Sequence, residues 1–227
     1  MWWLMLLMSL SAKEILAKVD SVMNAPKDET AEMVIVTIDS RGMTKERKAT
    51  LMQKGEKRLI KFSYPLEDRG ISFLSLSEDE MYVYLPSFKR VTRIASHVKN
   101  SQFLDTDLSY EEMGKSTYKQ EESEILEENE KQYRIKSKSN FSGYDYIIVT
   151  IDKQSYIPVT IEFQKAGITV KVMEMANITK VGKYNIPLET RVKNIKDNHK
   201  TIMRIEKIEL DRGLTDEEFT LRKLKGF

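Results

Sequence analysis

The chain has no cysteine and only two histidines, His97 and His199, among its 227 residues. The absence of cysteine excludes disulfide frameworks, thiol nucleophiles and cysteine-based zinc sites. The two histidines are far apart in sequence, and neither has a second histidine or a carboxylate at ligand spacing. We therefore predict neither a metal site nor a histidine-based catalytic triad, and we expect no cofactor.

Glycine and proline are also scarce, with 9 and 5 residues, and 37 Lys+Arg nearly balance 35 Asp+Glu. The low glycine and proline content excludes collagen-like and low-complexity chains. A formal charge of +2 gives no reason to expect a nucleic-acid partner. With 41% hydrophobic residues, a chain of this length can bury a core without a metal or a disulfide, so a single folded domain is expected.

A long apolar run, residues 1–12, opens the chain and ends in small residues. It is too short to span a bilayer. The run is typical of a signal-peptide hydrophobic region, with Ser9 and Ser11 at the positions that a signal peptidase reads, although no Lys or Arg precedes it. We predict a cleaved signal peptide over 1–12 and one exported domain over 13–227; a short buried helix or an interfacial anchor is the alternative.

The next segment, residues 11–24, places apolar residues at helical spacing, and Pro26 prevents its continuation. A second helix is predicted at Leu104–Gly114, with Thr106 or Asp107 as its cap. A third is predicted to open at Thr215, because Thr215 and Glu218 match a capping box. These three short helices are the ones that the sequence predicts.

From Glu32 onward the apolar residues recur with a period of two, which predicts strands. Short turn signals separate the strands and leave no room for helical crossovers, so neighbouring strands should pair antiparallel. The fold class is therefore mainly β (α+β), with one large curved antiparallel sheet covered by about three helices. The predicted strands are Met33–Asp39, Lys45–Met52, Arg58–Tyr64, Ile71–Leu76, Met81–Leu85, Arg90–Ile94, Tyr118–Leu126, Gln132–Lys138, Tyr144–Asp152, Pro158–Gln164, Thr169–Ala176, Ile186–Lys193 and Thr201–Leu210.

Several of these strands are apolar on both faces. Such a strand either lies between a helix and a second layer, or lines an apolar cavity. Twelve methionines suit a cavity for ligands of variable shape, because the methionine side chain is unbranched and adaptable. Ordinary core filling explains the same residues, and the period alone does not separate the two interpretations.

Sequence motifs give no support for catalysis. The chain has no phosphate-binding loop, dinucleotide fingerprint, nucleophile elbow or HExxH sequence. We therefore predict that the protein is not an enzyme, since a hydrolase would lack a recognisable nucleophile and base.

Two charged runs allow more than one interpretation. The acidic run Glu121–Glu130 is typical of a solvated strand edge and lacks the loop pattern of a calcium site. Lys89, Arg90 and Arg93 are candidates for contact with lipid head groups or an acidic partner, or are ordinary charges of an edge strand.

Taken together, the chain resembles the outer-membrane lipoprotein-sorting family, the LolA-like periplasmic carriers, on a branch distant from the well-studied members. The acidic run Glu121–Glu130 and the absence of a basic residue before the apolar run depart from the pattern of the family. The matching stretches span nearly all of the chain after residue 12, and they are Glu14–Asp20, Met23–Pro26, Gly70–Leu76, Tyr84–Ile94, Ser101–Glu111 and Gly213–Leu224.

The resemblance implies an incomplete antiparallel barrel closed by helices, with an apolar cavity that shields acyl chains in the periplasm. The implied partners are an acylated lipoprotein or lipid cargo, an inner-membrane transporter and an outer-membrane acceptor, and the carrier is expected to be a monomer. The alternative function is an envelope adaptor that docks on a transporter and carries nothing. Our cavity candidates are Phe62, Phe73, Tyr82, Tyr84, Phe88, Phe103, Ile148, Phe163 and Met173.

A carrier of this kind needs a way to release its cargo. Burying an acyl chain gains about 0.8 kcal/mol per methylene, so a sixteen-carbon chain gains on the order of 12 kcal/mol before ordering costs. Helices that cover the empty cavity and are displaced by cargo would offset part of this gain. The segments 11–24 and Leu104–Gly114 are the predicted covers.

Overall fold

The computed structural model describes residues 10–114, 118 and 122–226. Most of the predicted signal peptide and the first part of the predicted strand Tyr118–Leu126 lie outside the described residues, as does Glu121 of the acidic run. No helix within the described ranges is long and apolar enough to cross a membrane.

All thirteen predicted strands are present in one antiparallel sheet, in the order β6-β5-β4-β3-β2-β1-β13-β12-β11-β10-β9-β8-β7. Sequential strands pair with each other, except β6 and β7, and β1 also pairs with β13. The strands β6 and β7 therefore lie at the two edges, and the sheet is not closed. This confirms the predicted fold class. The strands are β1 Asp28–Ile38, β2 Thr44–Lys54, β3 Lys57–Tyr64, β4 Ser72–Ser77, β5 Glu80–Leu85, β6 Arg90–Arg93, β7 Ser123–Glu128, β8 Gln132–Lys138, β9 Tyr146–Asp152, β10 Pro158–Lys165, β11 Ile168–Val181, β12 Tyr184–Asn194 and β13 His199–Leu210.

Three short α-helices accompany the sheet in the described part of the chain: α1 Ala12–Met23, α2 Tyr110–Met113 and α3 Leu221–Leu224. The first matches its prediction, and a capping box between Ser11 and Glu14 satisfies its first turn. Its apolar side, with Ile15, Leu16 and Val19, is fully buried against β8, β9 and β10.

The second predicted helix is much shorter than expected. Leu104 and Asp105 have φ values of 45° and 58°, a left-handed conformation that a right-handed helix excludes. The cap is Ser109, not Thr106 or Asp107. The Thr106 hydroxyl donates instead to the carbonyl oxygen of Phe103, at 2.6 Å.

The third helix also begins later than predicted. Thr215 precedes a 3₁₀ turn, Asp216–Glu218, and makes no side-chain cap. Thr220 caps α3 instead, since its side chain accepts a hydrogen bond from the backbone N–H of Lys223. The capping-box match therefore identified the region of the helix and missed its first residue.

The sheet has an inner face, which carries α1 and α2, and an outer face, which carries α3. Two apolar clusters lie on the inner face, one under α1 and one under the segment that contains α2. A smaller cluster on the outer face joins Leu59 and Leu74 to Phe219 and Leu224. Strands β3, β4 and β5 therefore carry apolar packing on both sides, which is one of the two interpretations that strands apolar on both faces allowed.

Candidate functional site

A cavity lies between the inner face of the sheet and its helical covers. Its volume is about 240 Å³, and it is partly open to solvent. Residues of α1, the α2 segment and the strands β1, β2, β3, β11, β12 and β13 surround it. Its apolar lining consists of Val22, Met23, Met33, Leu51, Ile60, Leu108, Met113, Met173, Met175, Ile186, Pro187, Leu188, Met203 and Ile205.

Methionine is the commonest side chain in this lining. Six of the twelve methionines of the chain contribute, four of them from β1, β11 and β13 and one from each cover. Unbranched thioether side chains change rotamer easily and adapt to different shapes. The cavity wall can therefore follow a flexible apolar ligand.

Polar side chains occupy one part of the wall, around Arg58 of β3. Its Nε lies 2.8 Å from Oε1 of Gln53, and its Nη1 donates to the carbonyl oxygens of Met113 and Gly114 at 3.2 and 3.0 Å. Burial lowers the pKa of Arg58, whereas the charges of Glu29 and Tyr118 raise it. Arg58 thus ties β3 to the α2 segment at the edge of the cavity.

We call residues 95–114 the lid segment; it starts after the edge strand β6 and includes α2. A buried ion pair anchors it, in which Nζ of Lys171 donates to both carboxylate oxygens of Glu112 at 2.5 and 2.7 Å. The same Nζ donates to the carbonyl oxygen of Asp107 at 3.1 Å. Burial lowers the pKa of Lys171, and the Glu112 charge raises it. The pair joins the lid segment to β11.

Asp107 anchors the lid segment to β13. Its Oδ2 accepts from the Thr201 hydroxyl at 2.7 Å and lies 2.8 Å from Nδ1 of His199. Its backbone N–H donates to Oγ1 of Thr201 at 2.8 Å. These bonds, with those of Glu112 and Arg58, connect the lid segment to three different strands.

The second cover, α1, has its own polar contact with the chain that follows the lid segment. Oδ1 of Asp20 accepts from the backbone N–H of Tyr118 at 3.0 Å. Burial raises the pKa of the Tyr118 hydroxyl, and the charge of Asp20 adds to that rise. The covers on both sides of the cavity are thus held by apolar packing and by polar bonds.

Of the predicted cavity residues, Met173 lines the cavity. Phe62 and Phe73 lie on the inner face of the sheet and pack against Phe103 of the lid segment, with ring centroids 6.0 Å apart for Phe62 and Phe103 and 5.5 Å apart for Phe73 and Phe103. Phe163 is buried under α1 and contacts Tyr144. The structure therefore brings these residues to the inner face, but it places the aromatic rings in packed core beside the cavity.

The remaining candidates lie elsewhere. Tyr82 and Tyr84 belong to the outer cluster beneath α3. Ile148 has the opposite parity from the inward Ile147 and Val149, and Phe88 is exposed in a turn. The alternation of side chains along a strand assigns each residue to one of two faces, but it does not show which face is the inner one. Residues of the outer face were therefore predicted as cavity residues together with those of the inner face.

The three candidate cations for contact with lipid head groups, Lys89, Arg90 and Arg93, lie at the two ends of β6. Lys89 lies in the turn before β6 and Arg90 is the first residue of β6, and both are exposed. Arg93 lies at the other end of β6, where its Nη2 donates to the carbonyl oxygen of Asp79 at 3.2 Å. The three cations therefore do not form one site.

Sequence reasoning missed Met33, Met175, Met203 and Arg58 as lining residues. A signal for Met175 was present, because it has the same parity as Met173 in β11. No such signal marked Arg58, since a charged residue near a strand end is usually solvated. Within the described residues, no group of three or more His, Asp or Glu side chains is placed to hold a metal ion.

A family model described as "Uncharacterized protein" matches residues 54–226, more than half of the chain. The chain belongs to that family. Among curated proteins, no sequence matches it.

Solved structures show the fold of this family member clearly. A domain from Vibrio parahaemolyticus named for outer membrane lipoprotein sorting has a TM-score of 0.86 at 22% identity, over 93% of this chain and 97% of the other. A DUF1329 family protein from Desulfovibrio piger gives 0.86 at 20%, with the same coverage. A LolA superfamily protein from Nitrosomonas europaea gives 0.78 at 16%, over 95% and 100%. The predicted LolA-like resemblance is confirmed at the level of the fold.

Proposed function

We propose that the protein is a periplasmic carrier that shields an acyl chain of a lipoprotein or another lipid, without any chemical step. The observation that carries this proposal is the apolar, methionine-lined cavity under α1 and the lid segment. Burying an acyl chain there would be driven by the hydrophobic effect alone. The LolA-like fold, which a structure named for lipoprotein sorting shares, supports the same function.

The size of the cavity indicates how loading would proceed. At about 240 Å³ it is smaller than the roughly 300–1,000 Å³ of typical small-molecule pockets. A long acyl chain would therefore enter only if α1 or the lid segment moved outward. Loading would break the contacts of the lid segment with Arg58, Lys171 and Thr201, and this loss would offset part of the gain from burying the chain.

The polar part of the wall suits the less apolar end of such a ligand. Glu29, Gln53 and Arg58 all line the cavity near the ends of β1, β2 and β3. An ester or amide oxygen of the cargo could accept from the guanidinium of Arg58 if the lid segment gave up its own bonds to that group. The proposed partners are a transporter of the inner membrane that loads the carrier and an outer-membrane acceptor that unloads it.

Native mass spectrometry of the protein purified from its own cell envelope tests the proposal. We expect bound acyl species that organic extraction removes. Met175→Trp should reduce their occupancy several-fold, because the larger ring fills the cavity, whereas Ile178→Trp, on an exposed part of the same strand, should not. Consistently empty protein, with both variants folded, would contradict the carrier and favour the non-carrying adaptor.

A further inference from the structure

Five hairpins at one end of the sheet each present one large apolar side chain to solvent, four of them from the turn and one, Ile168, from the first residue of the strand after the turn. These are Met43, Leu66, Phe88, Ile168 and Ile195, with exposed fractions of 67%, 79%, 74%, 68% and 46%. They include the four most exposed large hydrophobic residues within the described part of the chain. We call these five side chains the tip rim.

The order of strands in the sheet makes the tip rim a continuous series. The turns β5–β6, β3–β4, β1–β2, β12–β13 and β10–β11 are successive along the sheet, and they carry the five side chains in the order Phe88, Leu66, Met43, Ile195, Ile168. Successive turns are two strand spacings apart, which is about 10 Å. The apolar side chains are thus separate points along one end of the curved sheet.

The opposite end of the sheet has a different character. Its turns are Gly55–Glu56, Glu78–Asp79, Asn129–Lys131, Lys153–Ile157 and Gly182–Lys183. None of these described turns carries an exposed large apolar residue. Among the described hairpins, the large exposed apolar side chains at the turns are thus confined to one end of the sheet.

A group of cations lies directly behind the tip rim. The two residues of each of the thirteen strands nearest this end include six Lys or Arg residues and one carboxylate, Glu124. The six cations are Lys45, Arg90, Lys138, Lys165, Lys193 and Lys200, of which Lys45 pairs with Asp68 and Lys138 with Glu122. The turns themselves carry charges of both signs in nearly equal number: Asp39, Glu67, Asp68, Asp145 and Asp197 against Arg41, Arg69, Lys89 and Lys196. The positive charge is therefore concentrated one layer behind the apolar points.

Contacts between the turns hold part of the tip rim in place. Oδ2 of Asp68 accepts from Nε of the buried Arg47 at 2.7 Å, and Lys45 lies 2.9 Å from the same oxygen. Gly70 packs so closely on the next turn that a Cβ there would lie 3.1 Å from Cγ of Pro86. Leu66 and Phe88 therefore project from turns that are fixed relative to each other.

We propose that the tip rim binds the surface of a lipid bilayer that contains anionic lipids. Apolar side chains about 10 Å apart do not form the contiguous buried centre of a protein interface, but each can enter the interfacial layer of a membrane separately. The cations behind them lie where anionic head groups would be. This orientation places the cavity, whose wall includes Glu29, Gln53 and Asn185 at the other strand ends, on the side away from the bilayer.

Single-cysteine labelling tests the proposal directly, because the chain has no native cysteine. Leu66→Cys, Phe88→Cys and Ile168→Cys would each carry an environment-sensitive fluorophore in the full chain. With vesicles of phosphatidylglycerol and phosphatidylcholine in equal parts, we expect blue-shifted emission and quenching by a shallow nitroxide lipid. A label at Ile178, exposed on β11 away from the tip rim, should show neither change. This local readout also separates tip-rim binding from any insertion of residues 1–12.

A matched pair of double variants measures the contribution of the tip rim. Leu66→Ser with Phe88→Ser should reduce the partition constant into these vesicles at least tenfold, whereas Leu126→Ser with Ile178→Ser should leave it nearly unchanged. Removing phosphatidylglycerol, or raising the salt concentration, should weaken binding of the native protein. Tip labels that stay in water on vesicle-bound protein would overturn the proposal, as would self-association that only the tip double variant abolishes. The outcome does not depend on whether the cavity binds lipid.

Discussion

Lys171 and Glu112 are both charged and both nearly fully buried, with 6% and 2% of their side chains exposed. Replacing Lys171 with Met would leave the Glu112 carboxylate buried without its cation. We expect Lys171→Met to lower the free energy of unfolding by about 3–5 kcal/mol, because an uncompensated buried charge is costly. Urea denaturation followed by circular dichroism measures the change.

The double variant Lys171→Met with Glu112→Gln is the control for this prediction. Its amide oxygen can still accept from the backbone N–H of Ser109, as Glu112 does at 2.7 Å, and no net charge remains buried. Most of the stability should return. A single variant as stable as the native protein would show that the pair does not hold the lid segment.

Asp68 makes the stability of the β3–β4 turn depend on pH. Partial burial raises its pKa, but the hydrogen bonds from Lys45 and Arg47 outweigh this effect, and the pKa lies below that of a free aspartate. A carboxyl group with a lowered pKa stabilises the folded state above the unfolded pKa of about 3.9, and that contribution is lost as the pH falls through the folded value.

We therefore expect the native protein to lose stability as the pH falls from about 5 to below 4, and Asp68→Asn to lose less over the same range. At neutral pH the variant should be less stable than the native protein. Denaturant titrations at each pH measure both effects. Equal acid sensitivity of the two proteins would show that other carboxyl groups dominate this range.

The sequence predicted which residues of a strand share a face of the sheet, but it did not show which of the two faces lines the cavity. The period of two correctly grouped Phe62 with Ile60, but it also made Tyr82 and Tyr84 cavity candidates, although they lie under α3. The inward position of Lys171 was not predictable, because its partner Glu112 is 59 residues away and no local pattern connects the two.

All of the predicted strands are present in the structure, whereas two of the three predicted helices differ from their predictions in length or in first residue. Strands with alternating apolar residues have a strong local signal, and all thirteen were found. The strand β1 nevertheless begins at Asp28 rather than Met33, because its first residues pair with β2 and β13 regardless of their polarity. The helix α2 was predicted to begin at Leu104, because a left-handed conformation is usually marked by glycine in the sequence. Leu104 and Asp105 adopt that conformation without being glycines, so nothing in the sequence indicated that the helix begins later.

The two covers should respond differently from the sheet when cargo binds. We expect faster amide hydrogen exchange over 11–24 and Leu104–Gly114 in cargo-loaded protein than in empty protein, since loading would displace them. Exchange in β1 and β13 should change little. Equal or slower exchange in the covers would count against displacement.

Arg58→Met provides an internal comparison for this experiment. It removes the bonds to the carbonyl oxygens of Met113 and Gly114, so the empty variant should already exchange faster over the lid segment than the native protein. Arg222→Met, on the exposed side of α3, is the matched control. If both variants exchange alike, Arg58 does not hold the lid segment.

At the scale of the whole molecule, the two proposed sites lie at opposite ends of the strands. The cavity lies under α1 and the lid segment, with Glu29, Gln53 and Asn185 in its wall, and the tip rim lies at the other end of the strands. The short turns predicted one curved antiparallel sheet, and the resemblance implied that this sheet does not close into a complete barrel. The separation of the two sites was not predictable, because it depends on which strand ends coincide in the assembled sheet.

Photolabelling with a long-chain fatty acid that carries a diazirine at its methyl end tests the central claim most directly. The carrier predicts saturable labelling of residues in the cavity wall, above all Met173, Met175 and Met203, and its loss in Met175→Trp. Labelling that does not saturate, or that is confined to exposed positions such as Phe88 and Ile168, would contradict an acyl-chain site under the lid segment.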